Sequence, residues 1–217
     1  MSTLALMRFL ESAPERYDRG MWWLTLGRVD EIRDAVAAAV PPLESPAVLE
    51  IGCGTGALTA LLIARGARVT AFDQNPEMLE HARERVGDAP NCEILERTAS
   101  EIDRLPDASF DAIVASFSFS EMSASERHFI LRQAAAKLRP EGRLAIADEV
   151  RPQSTRARVV FALLRAPQAA LAWLAVGSVS RPLPDLEAEL DSAGFRTLER
   201  QSWLGGHLAV FVAARAG

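Results

Sequence analysis

Between residue 46 and residue 150 the chain alternates short apolar runs with segments of helical period. The runs at 47–51, 67–72, 92–96, 110–116 and 143–147 read as strands, and the segments 57–64, 77–86 and 125–138 read as helices. Strands that are apolar at nearly every position suit a parallel sheet buried on both faces by helices, and the βαβα alternation has the same meaning. Further on, 195–203 and 208–213 flank Leu204-Gly205-Gly206-His207, a turn that suits a hairpin and hence a final antiparallel pair. The pattern therefore predicts an α/β fold: a doubly wound, mostly parallel seven-stranded sheet with an antiparallel C-terminal hairpin and a helical N-terminal cap.

The cap is residues 1–45, helix-favouring sequence interrupted near Pro14 and Gly27 and closed by Pro41-Pro42 and Pro46. Residues 46–150 form the half that carries the glycine turn. A helical insertion is expected at 151–182, and 183–217 holds a last helix, at 184–193, and the hairpin. No internal repeat divides the 217 residues, so one domain is expected.

The strongest chemical signal is Val48-Leu49-Glu50-Ile51-Gly52-Cys53-Gly54-Thr55-Gly56, a strand that runs into three glycines at alternate positions and then into a helix. Such a turn lets backbone approach a ligand that a Cβ would obstruct. Asp73 ends the next strand roughly 20 residues on, where a carboxylate can accept both hydroxyl protons of a ribose. Together they describe a nucleoside site rather than a bare strand-to-helix turn. Gly52, Gly54 and Ala57 also satisfy the dinucleotide pattern G-x-G-x-x-G/A, but Glu50 places a carboxylate beside the turn. That charge is a poor neighbour for a pyrophosphate and a good acceptor for an ammonium group.

Composition narrows the rest. With 49% apolar and 24% charged residues the chain is ordinary globular sequence, and a net charge of −5 argues against general phosphate attraction, so no nucleic acid is expected. Two cysteines, Cys53 and Cys92, form neither a disulfide framework nor a zinc spacing, which favours a reducing cytoplasm and no metal. The N-terminus lacks the order of an export signal, and the most apolar stretch, 159–177, is broken by Arg165, Pro167 and Gln168, so no transmembrane segment is expected.

These motifs resemble the class I S-adenosylmethionine-dependent methyltransferases. The likeness rests on VLEIGCGTG, on Asp73-Gln74-Asn75-Pro76-Glu77-Met78-Leu79, on Leu105-Pro106 followed by Ser109-Phe110-Asp111, and on Leu138-Arg139-Pro140-Glu141-Gly142-Arg143-Leu144, in that order. The segment from Phe9 to Asp18 is similar to the opening of the ubiquinone and menaquinone biosynthesis methyltransferases, and a looser likeness is to corrinoid protein-associated methyltransferases. The resemblance implies a Rossmann-like methyltransferase fold, S-adenosyl-L-methionine as cofactor and S-adenosyl-L-homocysteine as product. It places Gly52, Cys53, Gly54 and Gly56 against the methionyl part, Glu50 at its amino group, Asp73 at the ribose, Gln74 and Met78 beside the adenine, and Thr98-Ala99 at the adenine edge. Relatives often carry an aspartate where Thr98 stands, and a hydroxyl is the weaker acceptor.

The strand ending at Ser116 is followed by Phe117-Ser118-Phe119-Ser120-Glu121-Met122 in place of the family's usual small, polar or aromatic motifs. This loop is expected to face the transferred methyl, with Ser116 at the cofactor. Glu121 is the candidate base if burial raises its pKa, and a solvated turn residue otherwise. Tyr17, with Asp18, matches a pair found in the segment that closes over the cofactor in the resembling quinone enzymes, and is the second catalytic candidate. His81, His128 and His207 have no partners at metal spacing. Trp22 and Trp23 are adjacent, so on a helix they diverge by about 100° and one is expected to face a pocket or a partner. Residues 17–23 and the insertion at 154–179 are expected to gate the acceptor. That acceptor is a small hydrophobic molecule on this reading. The alternatives are a protein partner met by Arg151, Arg156, Arg158 and Arg165, or a non-catalytic nucleoside-binding module.

Overall fold

The computed structural model describes residues 14–152 and 182–216. Its seven strands are β1 Ala47–Ile51, β2 Arg68–Asp73, β3 Cys92–Glu96, β4 Phe110–Ser116, β5 Leu138–Glu149, β6 Phe195–Trp203 and β7 Leu208–Arg215. They form one sheet in the order β3-β2-β1-β4-β5-β7-β6, parallel except that β7 runs antiparallel to both β5 and β6. The helices are α1 Pro14–Leu24, α2 Val29–Ala38, α3 Ala57–Ala64, α4 Pro76–Val86, α5 Ala124–Lys137 and α6 Leu186–Ser192. The expected doubly wound sheet with an antiparallel finish is what forms. The expected insertion falls almost wholly at 153–181, outside the described residues.

The central strands β1 and β4 have almost no polar surface to offer water, and two apolar clusters cover them, one on each face. Ile32, Val36, Leu58, Leu62 and Val210 pack on one side, and Phe119, Ile130, Leu131, Leu190 and Phe195 on the other. The chain winds outward through β1, β2 and β3, then crosses back to place β4 beside β1. That reversal opens a crevice at the carboxyl ends of β1 and β4, where open α/β sheets bind ligands. At the opposite end Asp111 accepts a hydrogen bond from Ala47 N at 2.8 Å and another from Arg139 Nη1 at 2.6 Å, tying β1, β4 and the start of β5 together.

Local chemistry sets the element ends. Asn75 caps α4 by accepting from the backbone N–H of Glu77 at 2.9 Å, and Pro76 follows at the first helical position, where its missing N–H costs nothing. Ser123 caps α5 in the same manner, accepting from Glu126 N. β5 is longer than the 143–147 expected from apolar pattern. Phe110 pairs with Leu138 while Ala112 pairs with Arg143, so Arg139-Pro140-Glu141-Gly142 bulges out of register between the two pairings. The turn-forming residues there mark an irregularity within the strand, and not its beginning.

Candidate active site

The glycine turn follows β1 directly. Gly52, Gly54 and Gly56 all have positive φ, at 72°, 53° and 75°, a region that a side chain disfavours. Two of them also have no room. A Cβ on Gly52 would lie 2.7 Å from Ser118 Cβ, and one on Gly56 would lie 2.9 Å from the backbone Cα of Ala82 in α4. Gly56→Ala should therefore lower stability by about 1–3 kcal/mol, because strained backbone and a backbone clash combine. Thermal unfolding of the ligand-free protein measures it, and an unchanged midpoint would show that α4 yields at this contact.

Two acidic groups face the turn from below. Glu50 is 1% exposed and its carboxylate accepts the Thr59 hydroxyl at 2.6 Å. Burial raises its pKa from the ordinary 4.5 to about 8; the Thr59 hydrogen bond and the more distant Arg33 charge oppose this shift only in part. Among the described residues no cation lies within 4.0 Å of Glu50. Asp73, at the end of β2, accepts from Gly54 N and from Asn75 N, each at 2.9 Å. Its pKa is also raised, by burial, against the pull of those backbone donors. Two desolvated carboxyls 23 positions apart thus lie around one turn of backbone N–H groups. The Cys53 thiol, buried in the same turn, is pushed up by desolvation first and by the Glu50 and Asp73 charges next, and so stays protonated.

The roof of the crevice is α1. Tyr17 projects over the turn, so that a Cβ on Gly54 would lie 3.8 Å from Tyr17 Cε1. Asp18 holds this helix in place: its carboxylate accepts from the Thr55 hydroxyl at 2.9 Å and from Arg85 Nη2 of α4 at 2.5 Å, with Arg33 of α2 at 3.7 Å. Arg85 also donates to the Thr55 hydroxyl, at 3.2 Å. One carboxylate therefore connects α1, the glycine turn, α2 and α4. The Tyr17 phenol is raised well above its ordinary pKa by desolvation, then by the charges of Glu121, Asp73 and Asp18, with Arg33 opposing. At neutral pH it is a hydrogen-bond donor and no base.

The other expected residues are distributed around this centre. Met78 is buried in the first turn of α4, while Gln74 is exposed beside it. Thr98 is exposed at the start of the short helical turn Ala99–Arg104, where the Glu101 carboxylate accepts its backbone N–H at 3.0 Å, and Ala99 is half-buried. Ser116 is half-buried at the end of β4. Glu121 ends the turn Phe119–Glu121 and is exposed, so the condition for a raised base is not met and the alternative of a surface turn residue holds, although its charge reaches Tyr17. Both Trp22 and Trp23 are exposed, where only one was expected to be free of the core.

Sequence reasoning missed three contributors. Ser118 donates to Ile51 O at 3.1 Å and fills the space a side chain on Gly52 would need, so the loop after β4 braces the glycine turn. Phe117 before it is buried with φ at 58°, an uncommon conformation for a bulky residue, and donates its N–H to Ala147 O at 2.8 Å. Asp148 of β5 accepts from Ser120 N at 2.9 Å and Glu149 N at 2.7 Å, fixing the same loop from the other side. Burial pushes the Asp148 pKa up to about 6, with the Glu149 charge adding to it and the Ser120 and Glu149 hydrogen bonds opposing.

Known proteins resemble the chain at both levels. Residues 48–142 match the family described as "Methyltransferase domain", a span that runs from β1 into β5. A demethylmenaquinone methyltransferase from Clavibacter sepedonicus is 28% identical over 207 residues, covering 89% of this chain and 83% of that protein. A phosphatidylethanolamine N-methyltransferase from Cereibacter sphaeroides is 31% identical over 186 residues, covering 83% of this chain and 89% of that one. The chain belongs to the class I S-adenosylmethionine-dependent methyltransferases. Among solved structures, the mitomycin 7-O-methyltransferase MmcR superposes with a TM-score of 0.71 at 25% identity, over 100% of this methyltransferase and 61% of that chain. The chain is thus an S-adenosylmethionine-dependent methyltransferase carrying the family's sheet and, at β1, its glycine turn.

Proposed function

We propose that this methyltransferase transfers a methyl group from S-adenosylmethionine to a small apolar acceptor bound beneath α1. The observation that carries the reading is the position of Tyr17 over Gly54, with Asp18 locking its helix to Thr55 and Arg85. This roof shields the crevice from water, and an in-line displacement at a sulfonium methyl gains most of its rate from alignment and water exclusion. Two relatives are named for a quinone, demethylmenaquinone, and for a lipid, phosphatidylethanolamine, which supports an apolar acceptor here.

The buried groups fit the cofactor. Glu50, desolvated and without a contacting cation among the described residues, suits the ammonium group, and Asp73 suits the two ribose hydroxyls. Gly52, Cys53, Gly54 and Gly56 present backbone to the methionyl part, Met78 and Gln74 border the adenine, Thr98 and Ala99 flank its edge, and Ser116 stands at the end of β4. The chemistry S-adenosylmethionine supplies when bound is an electrophilic methyl group, and its transfer leaves S-adenosylhomocysteine. Tyr17, held protonated, donates a hydrogen bond that orients the acceptor. Glu121 is exposed at the rim and so does not meet the condition for a base; alignment and water exclusion under α1 carry the reading. Glu121→Gln should accordingly leave turnover of phenolic acceptors within about twofold of the wild type and cofactor affinity unchanged. A loss of about tenfold or more in that variant across neutral pH would return Glu121 to the mechanism as the base. Formation of S-adenosylhomocysteine with a panel of quinols, phenols, phospholipids and soluble amines tests the acceptor class. Turnover confined to the soluble amines would overturn it.

A further inference from the structure

We infer that the outer face of α1 docks this enzyme on the surface of a phospholipid bilayer containing anionic lipid, a step that rests on the apolar-acceptor reading and names where such an acceptor is met. α1 has two faces of opposite destination. Met21, together with Thr25 just beyond the helix, is buried against the domain. Arg19, Trp22 and Trp23 share the other face at i, i+3 and i+4, and Leu26 stands in the turn that follows. Trp22 is 49% exposed, Trp23 60% and Leu26 53%, a contiguous apolar group on a helix whose core face is already satisfied.

These side chains are held, and not merely left over. The two indoles meet edge to face, their ring centroids 5.2 Å apart at 90°. Trp22 also lies over the following turn, so that a Cβ on Gly27 would come within 3.3 Å of its ring. The Thr25 hydroxyl donates to Met21 O at 2.7 Å, closing the helix end beneath them. A rigid aromatic pair loses little freedom on docking, and indole, apolar with one N–H, is the side chain that prefers the headgroup level of a bilayer.

Arg19 adds one positive charge to the indoles. Arg19 is exposed on the same stripe, while the neighbouring Asp18 turns inward to Thr55 and Arg85. Arg28, at the far end, is 2.9 Å from Glu31 and adds no free positive charge. The net charge of the whole chain is −5, so attraction to an anionic surface has to come from this stripe and be of short range. Tyr17 belongs to the same helix and covers the glycine turn, so docking through Trp22 and Trp23 sets the roof of the crevice against the bilayer.

The test is flotation of the full chain with vesicles of phosphatidylcholine and phosphatidylglycerol in equal parts, without cofactor or acceptor. The expected result is vesicle binding that falls about tenfold or more in Trp22→Ser/Trp23→Ser, and falls on anionic but not on pure phosphatidylcholine vesicles in Arg19→Glu. Leu198→Ser, which changes an equally exposed leucine on β6, should bind like the wild type. Retained S-adenosylhomocysteine affinity shows that the variants are folded and separates failure of this inference from failure of the cofactor site, while turnover on the acceptor panel separates it from failure of the apolar-acceptor reading. The inference is overturned if wild-type protein does not float, if the tryptophan variant floats as well as the wild type, or if the wild type is a concentration-dependent dimer that the same variant dissolves. The last result would make the stripe an interface between two copies.

Discussion

Glu50→Gln should weaken S-adenosylmethionine binding by about 10- to 100-fold and, at pH 8, make the ligand-free protein more stable. Both effects come from one desolvated carboxyl. In the ligand-free protein Glu50 titrates at about 8 instead of the ordinary 4.5. Between those values the folded chain retains a proton that the unfolded chain has released. The contribution of this group to stability is therefore complete below about 4.5 and declines as pH rises toward 8. Glutamine keeps an acceptor for the Thr59 hydroxyl and has nothing to ionise, so the pH-dependent loss disappears and the variant gains most on the wild type at the alkaline end. Binding moves the other way, because a cationic ligand needs the ionised carboxylate. Wild-type affinity should rise as pH goes from 6 to about 8, pass through a maximum there, and fall at higher pH as the ligand's own amine, with a pKa near 8, loses its proton. Calorimetric titrations and thermal unfolding across that range check both limbs. Equal affinities for wild type and variant, or a wild-type affinity flat in pH, would show that the ammonium lies elsewhere.

Much of this site is readable from residue order because it is local. β1, the three glycines and Asp73 span one strand-turn-helix-strand unit, the strands at 92–96 and 110–116 match their apolar runs to the residue, and β6 at 195–203 matches the first arm of the expected hairpin. Pattern fails where tertiary structure decides. The extended β5 was hidden because Pro140 and Gly142 read as a turn, whereas pairing with β4 resumes on the far side of a bulge. Leu198 similarly interrupts the pairing of β6 with β7, which period alone does not reveal. The roof was legible only through resemblance. Asp18 meets Thr55 from 37 positions away and Arg85 from 67, and Ser118 meets Ile51 O from 67, separations that leave no mark in local spacing. Glu121 illustrates the opposite difficulty, since a carboxylate after β4 could be buried or exposed with equal local sequence, and the short turn Phe119–Glu121 leaves it exposed.

The other large effect falls on Asp73, and comparison with Thr98 gives it its diagnostic value. Asp73→Ala should weaken S-adenosylhomocysteine binding by at least about tenfold, since each hydrogen bond to a charged acceptor contributes roughly 1.5–3 kcal/mol. It also removes the acceptor for Gly54 N and Asn75 N, so the glycine turn and the start of α4 lose a shared anchor. Asp73→Asn separates these two roles, because an amide oxygen can still accept one backbone N–H while its donor end faces the ribose hydroxyls wrongly. Affinity should therefore fall in both variants, but the unfolding midpoint should drop mainly in the alanine variant. Thr98→Ala should change affinity much less. Its hydroxyl is exposed and shared with Ser100 Oγ at 3.1 Å and Glu101 Oε2 at 3.4 Å, so water can replace it. Affinities that fall equally at both positions would move the ribose away from β2 and toward the turn at Thr98. An asparagine variant that binds like the wild type would mean that Asp73 only shapes the glycine turn, and that the nucleoside hydroxyls find their acceptor on another residue.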